Sequence, residues 1–136
     1  MTTKGSAVDV ALAAARQRIA PRVAPAALQQ ERASGALIVD IRPHELRHRD
    51  GLLDGAVVID RNVLEWRLDP TSDHRLGTVD DPTRRIVIVC DEGYASSFAA
   101  ASLADLGLTN VTDLSGGFQA VRIQPGTTRP GDPAPG

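Results

Sequence analysis

The side chain best suited to chemistry is Cys90, the only cysteine in the chain. It directly follows the apolar run 86–89 and precedes a loop and a predicted helix that begins at Ser96. The loop residues are Asp91, Glu92, Gly93, Tyr94 and Ala95. A lone cysteine cannot form an intramolecular disulfide or an all-cysteine zinc site, so it is either an inert apolar side chain or a nucleophile.

The position of Cys90 favours the nucleophile. The carboxyl end of a buried strand, just before a helix begins, is where open α/β sheets bind ligands. Unpaired backbone N–H groups at a helix start favour an anion, so they promote ionisation of a thiol and can hold an anionic group. Gly93 permits the tight turn that such a loop needs, and Ser96 or Ser97 could cap the helix or donate to the anion. Tyr94 could line the mouth of the pocket or simply cover the loop.

A second motif, His44-Glu45-Leu46-Arg47-His48, matches the His-Glu-x-x-His pattern of zinc proteases. Its two histidines would share one helix face and could bind zinc, with Glu45 as the base and Asp54 as a third ligand. Pro43, however, starts only a short helix directly after a strand, whereas zinc proteases need a long one. We therefore expect a solvated helix without a metal, in which Glu45 pairs with Arg42.

Cysteine phosphatases also place a cysteine before a helix and hold an oxyanion. They need an arginine six positions after the cysteine, because its planar fork binds phosphate through two hydrogen bonds. That position is Ser96 here, and the loop contains Asp91 and Glu92. The sequence therefore disfavours a phosphatase.

The elements that must position these residues alternate between strands and helices. Short apolar runs rich in β-branched residues predict strands at 36–39, 56–59, 85–89 and 111–114. Apolar residues at helical spacing, with Ser6 as a first cap, predict helices at 6–19, 25–32 and 96–106. Val63 and Trp66 also lie at helical spacing, so we expect both in the core. The alternation predicts an α/β fold built from βαβ units.

The chain has 136 residues, the size of one domain. We divide it into an N-terminal amphipathic helix at 1–20, an α/β domain at 21–124 and a tail at 125–136, which is rich in Pro and Gly and expected to be disordered. The first helix could dock on its own domain or on a second copy, so we expect a monomer or a homodimer.

Composition excludes several classes of function. The chain has 15 Lys+Arg against 17 Asp+Glu, so no basic surface for nucleic acid or anionic lipid is expected. No apolar stretch is long enough to cross a membrane. Residues 1–6 lack the pattern of a secretion signal, so we expect a cytoplasmic protein.

From residue 37 to residue 122 the chain resembles a rhodanese-like domain, through several blocks in the family's order. Val39-Asp40-Ile41-Arg42-Pro43 is similar to the first signature, in which a strand ends in Asp-x-Arg. The run 51–56 is similar to the second block, with Leu52 in place of a His and Asp54 in place of a Pro. The segment 86–96 resembles the catalytic strand and loop, and 106–120 resembles the closing block.

This resemblance implies a five-stranded parallel sheet with helices on both faces, and a sulfurtransferase that needs no cofactor. Cys90 would take sulfur from a sulfane donor as a persulfide, with residues 91–96 binding the substrate. The acceptor must be an external thiol, because the chain has no second cysteine. The supporting residues would be Asp40, which orders the turn beside the loop, Arg42, Arg61 and Ser97. A catalytically idle binding or regulatory module of the same fold is the alternative.

The charge of the loop departs from the family's pattern. Catalytic relatives commonly have a basic loop with an arginine at the position of Ala95, whereas Asp91 and Glu92 stand in this loop. Two carboxylates near a thiolate oppose its ionisation and repel a dianion such as thiosulfate, although Arg61 or Arg67 could supply positive charge. We therefore expect a neutral or cationic sulfur donor or acceptor rather than thiosulfate.

Overall fold

The computed structural model describes residues 5–122, so the predicted tail at 125–136 lies outside the described residues. Within this part, strands and helices alternate as the sequence predicts. The elements are α1 (Ala7–Gln17), a 3-10 helix (Pro25–Ala27), α2 (Leu28–Ala33), β1 (Leu37–Asp40), α3 (His44–Asp50), β2 (Val57–Val58), a 3-10 helix (Arg61–Val63), α4 (Leu64–Leu68), β3 (Ile86–Val89), α5 (Ala95–Asp105), β4 (Val111–Asp113) and α6 (Gly117–Val121).

The four strands form one parallel sheet in the order β2-β1-β3-β4. Ile86 of β3 pairs with Leu37 on one side and with Val111 on the other, so β3 is a central strand. All four residues of β3 are buried. The predicted α/β fold is confirmed, and its most apolar strand ends directly at Cys90.

The predicted fifth strand is wrong for the described residues, where the sheet has four. Val23 makes a single parallel bridge to Leu114 beyond β4, in the place where a fifth strand would lie. Pro21 and Pro25 flank Val23 and lack a backbone N–H, so the pairing cannot extend into a ladder on either side.

Strand residues alternate between two hydrophobic clusters, one on each face of the sheet. Ile86 and Ile88 pack with Leu64 and Leu68 of α4 and with α5 residues such as Leu103 on one face. The alternate residues of β3 pack with Leu28, Phe118 and Val121, from α2 and α6, on the other face. The helices therefore cover both faces, as predicted, and the buried sheet fixes where the end of β3 lies.

The N-terminal helix α1 packs against α5. Ser6 caps it by accepting a hydrogen bond from the Asp9 amide at 3.2 Å, as the sequence predicts. Leu12 and Ala15 are its buried residues, whereas Val8 is exposed. Its buried face is therefore narrower than the apolar spacing indicates.

The expectation that Val63 and Trp66 belong to the core is wrong. Trp66 is 56% exposed and Val63 45% exposed. The helix α4 has only five residues, and Leu64 and Leu68 are the ones that it buries. A helix this short turns one narrow stripe toward the sheet, and Val63 and Trp66 lie outside that stripe.

No helix among residues 5–122 is both long and apolar enough to cross a membrane.

The turn between β4 and α6 packs tightly on the loop that follows β3. Gly116 and Gly117 both have positive φ, at 78° and 66°. A Cβ atom on Gly117 would lie 2.6 Å from the carbonyl carbon and oxygen of Asp91 and 2.7 Å from the carbonyl oxygen of Cys90. Glycine is therefore required here by the backbone conformation and by the contact.

We predict that Gly117→Ala lowers the free energy of unfolding by about 3 kcal/mol, because backbone strain and overlap with the Cys90 loop add. The matched control is Gly35→Ala. Gly35 has a φ of 98°, but a Cβ there would meet nothing within 4 Å. This substitution should lower the free energy of unfolding by only about 1 kcal/mol. Urea denaturation measures both, and equal losses would contradict the close contact.

Candidate active site

Cys90 lies at the carboxyl end of β3 and lines a cleft of about 790 Å³. Cys90 is only 6% exposed, and it is one of the residues that line this cleft. Of the predicted site residues, the structure brings Asp91, Glu92, Tyr94 and Ala95 to the same cleft, whereas Gly93 and Ser96 lie behind it. The predicted placement of the cysteine in a ligand-sized depression at the sheet edge therefore agrees with the geometry.

The sulfur of Cys90 is surrounded by hydrogen-bonding groups of its own loop. The backbone amide of Gly93 donates to Sγ at 3.1 Å, and the backbone amide of Ser96 donates at 3.3 Å. The thiol itself donates to Ser96 Oγ at 3.2 Å. Two convergent amides stabilise negative charge on the sulfur, which is the condition that nucleophilic sulfur requires.

Of the two roles expected for Ser96 or Ser97, the capping of α5 is wrong. The helix begins one residue earlier, at Ala95, and Tyr94 occupies the cap position without a side-chain hydrogen bond. Both serine hydroxyls are buried and donate to Asp113 Oδ2 at 2.7 Å. Because both hydroxyls bind this buried carboxylate, they are not available to bind the backbone amides at the start of the helix.

The carboxylate of Asp91 is hydrogen-bonded to a residue of α6. Gln119 Nε2 donates to Asp91 Oδ1 and to Asp50 Oδ2, both at 2.9 Å. The hydrogen bond from the Arg49 guanidinium holds the pKa of Asp50 well below its usual range, against a smaller opposing effect of desolvation. Asp50 therefore stays a carboxylate and keeps Gln119 in place.

Glu92, the second acid of the loop, is exposed and so is screened by water. Basic residues line the same cleft. Arg61 is among them, as predicted, although its guanidinium is shared with Glu65 at 2.9 Å. Arg47 is another, and sequence reasoning considered it only as part of the His-Glu-x-x-His motif. The cleft is therefore of mixed charge and not simply acidic.

Asp40 and Arg42 form a fully buried ion pair beside the loop. Arg42 Nη2 lies 2.8 Å from Asp40 Oδ2 and also donates to the carbonyl oxygen of Gly51 at 2.8 Å. The guanidinium stacks 3.7 Å from the ring centroid of Phe118. The predicted pairing of Arg42 with Glu45 is wrong, because Glu45 is exposed and a buried guanidinium requires a buried counter-charge.

The His-Glu-x-x-His motif lies on α3, which has seven residues. The rings of His44 and His48 stack with centroids 6.0 Å apart. Asp54, the third ligand considered, forms an exposed ion pair with Arg32. Among residues 5–122, no three side chains of the metal-binding types are grouped to hold an ion, so the zinc-protease alternative has no support there.

Sequence reasoning missed three residues behind the loop, namely Arg16, Arg22 and Asp113. Asp113 ends β4, and a search of every strand end for polar residues would have found it. Arg16 and Arg22 precede the first strand and contact the loop across 77 and 71 positions of sequence, respectively, so no local pattern reveals them. They bind the carbonyl oxygen of Gly93 at 2.9 and 2.8 Å.

The structure defines a parallel α/β protein whose central strand ends at a cysteine in an amide-lined loop. Comparison with known sequences specifies the class further. Residues 24–124 match the family model described as Rhodanese-like domain. The chain belongs to this family.

Relatives with known names agree with the assignment. The chain is 33% identical over 115 residues to the thiosulfate sulfurtransferase GlpE of Pseudomonas entomophila, covering 85% of this chain and 93% of that one. Among solved structures, a Rhodopseudomonas palustris protein described as a possible tyrosine phosphatase has a TM-score of 0.75 and 31% identity, with 90% and 93% of the two chains covered. The human single-domain sulfurtransferase has a TM-score of 0.60 and 26% identity, with 74% and 94% covered.

We predict that Arg42→Met lowers the free energy of unfolding by about 3 to 5 kcal/mol, because it leaves the buried carboxylate of Asp40 without its counter-charge. The matched control is Arg32→Met, which removes the exposed pair with Asp54. Its cost should stay below about 1 kcal/mol. Chemical denaturation of both variants measures the difference, and a small loss for Arg42→Met would show that the pair contributes little.

Proposed function

We propose that this protein is a sulfurtransferase in which Cys90 accepts a sulfane sulfur as a persulfide and passes it to an external thiol. The observation that supports this most directly is the pair of backbone amides, from Gly93 and Ser96, that converge on the Cys90 sulfur beside an open cleft. Membership of the rhodanese-like family and the relatives named as sulfurtransferases support the same activity.

In the first half-reaction, the Cys90 thiolate attacks the outer sulfur of a donor that contains a sulfur–sulfur bond. A new bond forms between Cys90 Sγ and that sulfur, while the bond inside the donor breaks and its electron pair leaves with the remainder. For thiosulfate the remainder is sulfite, and for a persulfide it is a thiolate. The amides of Gly93 and Ser96 would stabilise the negative charge of the starting thiolate.

In the second half-reaction, the thiolate of an acceptor attacks the outer sulfur of the Cys90 persulfide. The acceptor becomes a persulfide, and the electron pair of the broken bond returns to Cys90 as thiolate. Cys90 is the only cysteine of the chain, so no internal thiol can compete for this sulfur. The acceptor is therefore a separate thiol, and the cleft beside Cys90 is its route of approach.

The donor is proposed to be of low net charge. Asp91 and Glu92 line the cleft together with Arg47 and Arg61, so positive charge is not in excess there. A dianion such as thiosulfate is less favoured at this site than at a basic one, even though the relatives named above include thiosulfate sulfurtransferases. A persulfide of a small thiol, which has a lower net charge than thiosulfate, is better suited to a cleft of mixed charge.

A phosphatase does not fit this loop. The phosphatase chemistry considered above depends on an arginine six positions after the cysteine, and Ser96 occupies that position with its hydroxyl bound to Asp113. A binding module without turnover is the remaining alternative. The sulfur-loading experiment below separates it from a sulfurtransferase.

We predict that Cys90 gains one sulfur atom on exposure to thiosulfate, polysulfide or glutathione persulfide. Intact-mass spectrometry should detect the added sulfur, and a low-molecular-weight thiol should remove it. The matched control is Cys90→Ser, which should gain none. If no donor loads the wild-type protein, the binding-module alternative is correct and the proposed activity is wrong.

We further predict that Glu92→Gln raises the rate of sulfur loading from thiosulfate about twofold to threefold at low salt, because it removes an exposed negative charge beside the approach path. The rate from an uncharged organic polysulfide should not change. Glu45→Gln is the control, since Glu45 is also exposed but lies outside the residues that line the cleft. An equal effect of both variants would assign the change to net charge and not to the loop.

A further inference from the structure

The segment that precedes the family match contacts the back of the cysteine loop. Residues 24–124 match the family model, whereas Arg16 and Arg22 lie before it. Arg16 Nη2 donates to the carbonyl oxygen of Gly93 at 2.9 Å, and Arg22 Nη2 donates to the same oxygen at 2.8 Å. Two guanidinium groups therefore share one carbonyl of the loop.

Each arginine makes a second bond that ties this carbonyl to a neighbouring element, Arg16 to the start of α5 and Arg22 to the end of β4. Arg16 Nε donates to Ser97 Oγ at 3.0 Å. Arg22 Nε donates to Asp113 Oδ1 at 2.8 Å, and the carboxylate of Asp113 has no exposed surface. The rigid fork of an arginine fixes the relative position of two partners, which the single point charge of a lysine cannot do.

Asp113 connects the arginines to the sulfur. Its carboxylate accepts a hydrogen bond from the Ser96 hydroxyl at 2.7 Å. Ser96 Oγ in turn accepts a hydrogen bond from the thiol of Cys90 at 3.2 Å. When Cys90 ionises, this hydroxyl can rotate and donate to the thiolate instead. Asp113 remains paired at that moment, because Arg22 and the Ser97 hydroxyl still bind it.

We propose that Arg16 and Arg22 are positioning residues for Cys90, which hold the Gly93 carbonyl and Asp113 so that the Gly93 amide, the Ser96 amide and the Ser96 hydroxyl stay directed at the sulfur. Neither arginine contacts Cys90, so both act through the loop. The proposal rests on the proposed role of Cys90 as a nucleophile, and it assigns part of the active-site support to the N-terminal segment.

A second contact of Arg16 agrees with this role. Its guanidinium lies 5.9 Å from the centroid of the Tyr94 ring, and Tyr94 lines the cleft. Arg16 therefore contacts Gly93, Tyr94 and Ser97, which span the turn from the loop into α5. Loss of these contacts would free that turn, and the two amide bonds to the sulfur would weaken with it.

The test is the pH dependence of Cys90 alkylation by iodoacetamide in Arg16→Met and Arg22→Met, in the full chain. We expect the midpoint of each rate profile to move upward by about half to one pH unit, which lowers the rate at a pH well below the wild-type midpoint by about threefold to tenfold. The control is Arg18→Met, because Arg18 extends from the end of the same helix to an exposed ion pair with Asp105. Its profile should equal that of the wild type.

Arg16→Lys separates geometry from charge. It keeps the positive charge but cannot bind Gly93 and Ser97 together through a rigid fork, so we expect only partial recovery of the profile. Full recovery would show that charge alone acts and would overturn the positioning role. Circular dichroism establishes that each variant is folded.

Arg22→Met leaves the buried carboxylate of Asp113 without its arginine and could prevent folding. Arg16→Met then decides the question, because it leaves that ion pair intact. A folded Arg16→Met with the wild-type profile would overturn the proposal. Alkylation does not require sulfur transfer, so a wild-type protein that never loads sulfur would count against the proposed function and not against this inference.

Discussion

The amide and the carbonyl of Gly93 are hydrogen-bonded in two different directions, and the geometry of the cysteine loop depends on this arrangement. The amide faces Cys90 Sγ at 3.1 Å, while the carbonyl oxygen is bound by Arg16 and Arg22. Gly93 adopts a φ of 90°, and a Cβ atom there would lie 2.6 Å from the amide nitrogen of Gly116. A residue with a side chain could therefore not make both sets of bonds in this space.

Packing from two sides keeps this loop in one conformation. The turn at Gly117 lies against the carbonyls of Cys90 and Asp91, which accept the amides of Phe118 and Gln119 at 2.8 and 3.0 Å. The arginines of the N-terminal segment bind the middle of the loop at Gly93. Because the loop is bonded at its start and at its middle, its amides have a fixed orientation, which is the preorganisation that electrostatic stabilisation requires.

Two buried carboxylates flank the cysteine, each paired with an arginine, and each carboxylate ends a strand next to β3. Asp40 of β1 pairs with Arg42, and Asp113 of β4 pairs with Arg22. Each pair neutralises its own charge in the interior, where an unpaired carboxylate would be costly. The charges that a substrate meets are instead those of the exposed cleft, which are mixed.

Much of this protein was predictable from local sequence, because strands and helices follow from the spacing of apolar residues. The runs 36–39 and 85–89 and the helix before Gly107 agree closely with β1, β3 and α5. The family motifs likewise predict the cysteine loop and the Asp40 turn. Apart from the fifth strand that the described residues lack, the main errors concern side chains, such as the exposure of Trp66 and the partner of Arg42, since neither follows from spacing along one helix.

The sequence alone determined the α/β fold and the position of the one thiol, Cys90, directly after the most apolar strand. Only the tertiary structure decided what stands behind that thiol. Arg16 and Arg22 reach Gly93 across more than seventy positions, and Asp113 joins them from β4. Hydrogen bonds between distant segments depend on how the chain folds back on itself, and a periodic pattern in one segment contains no information about that.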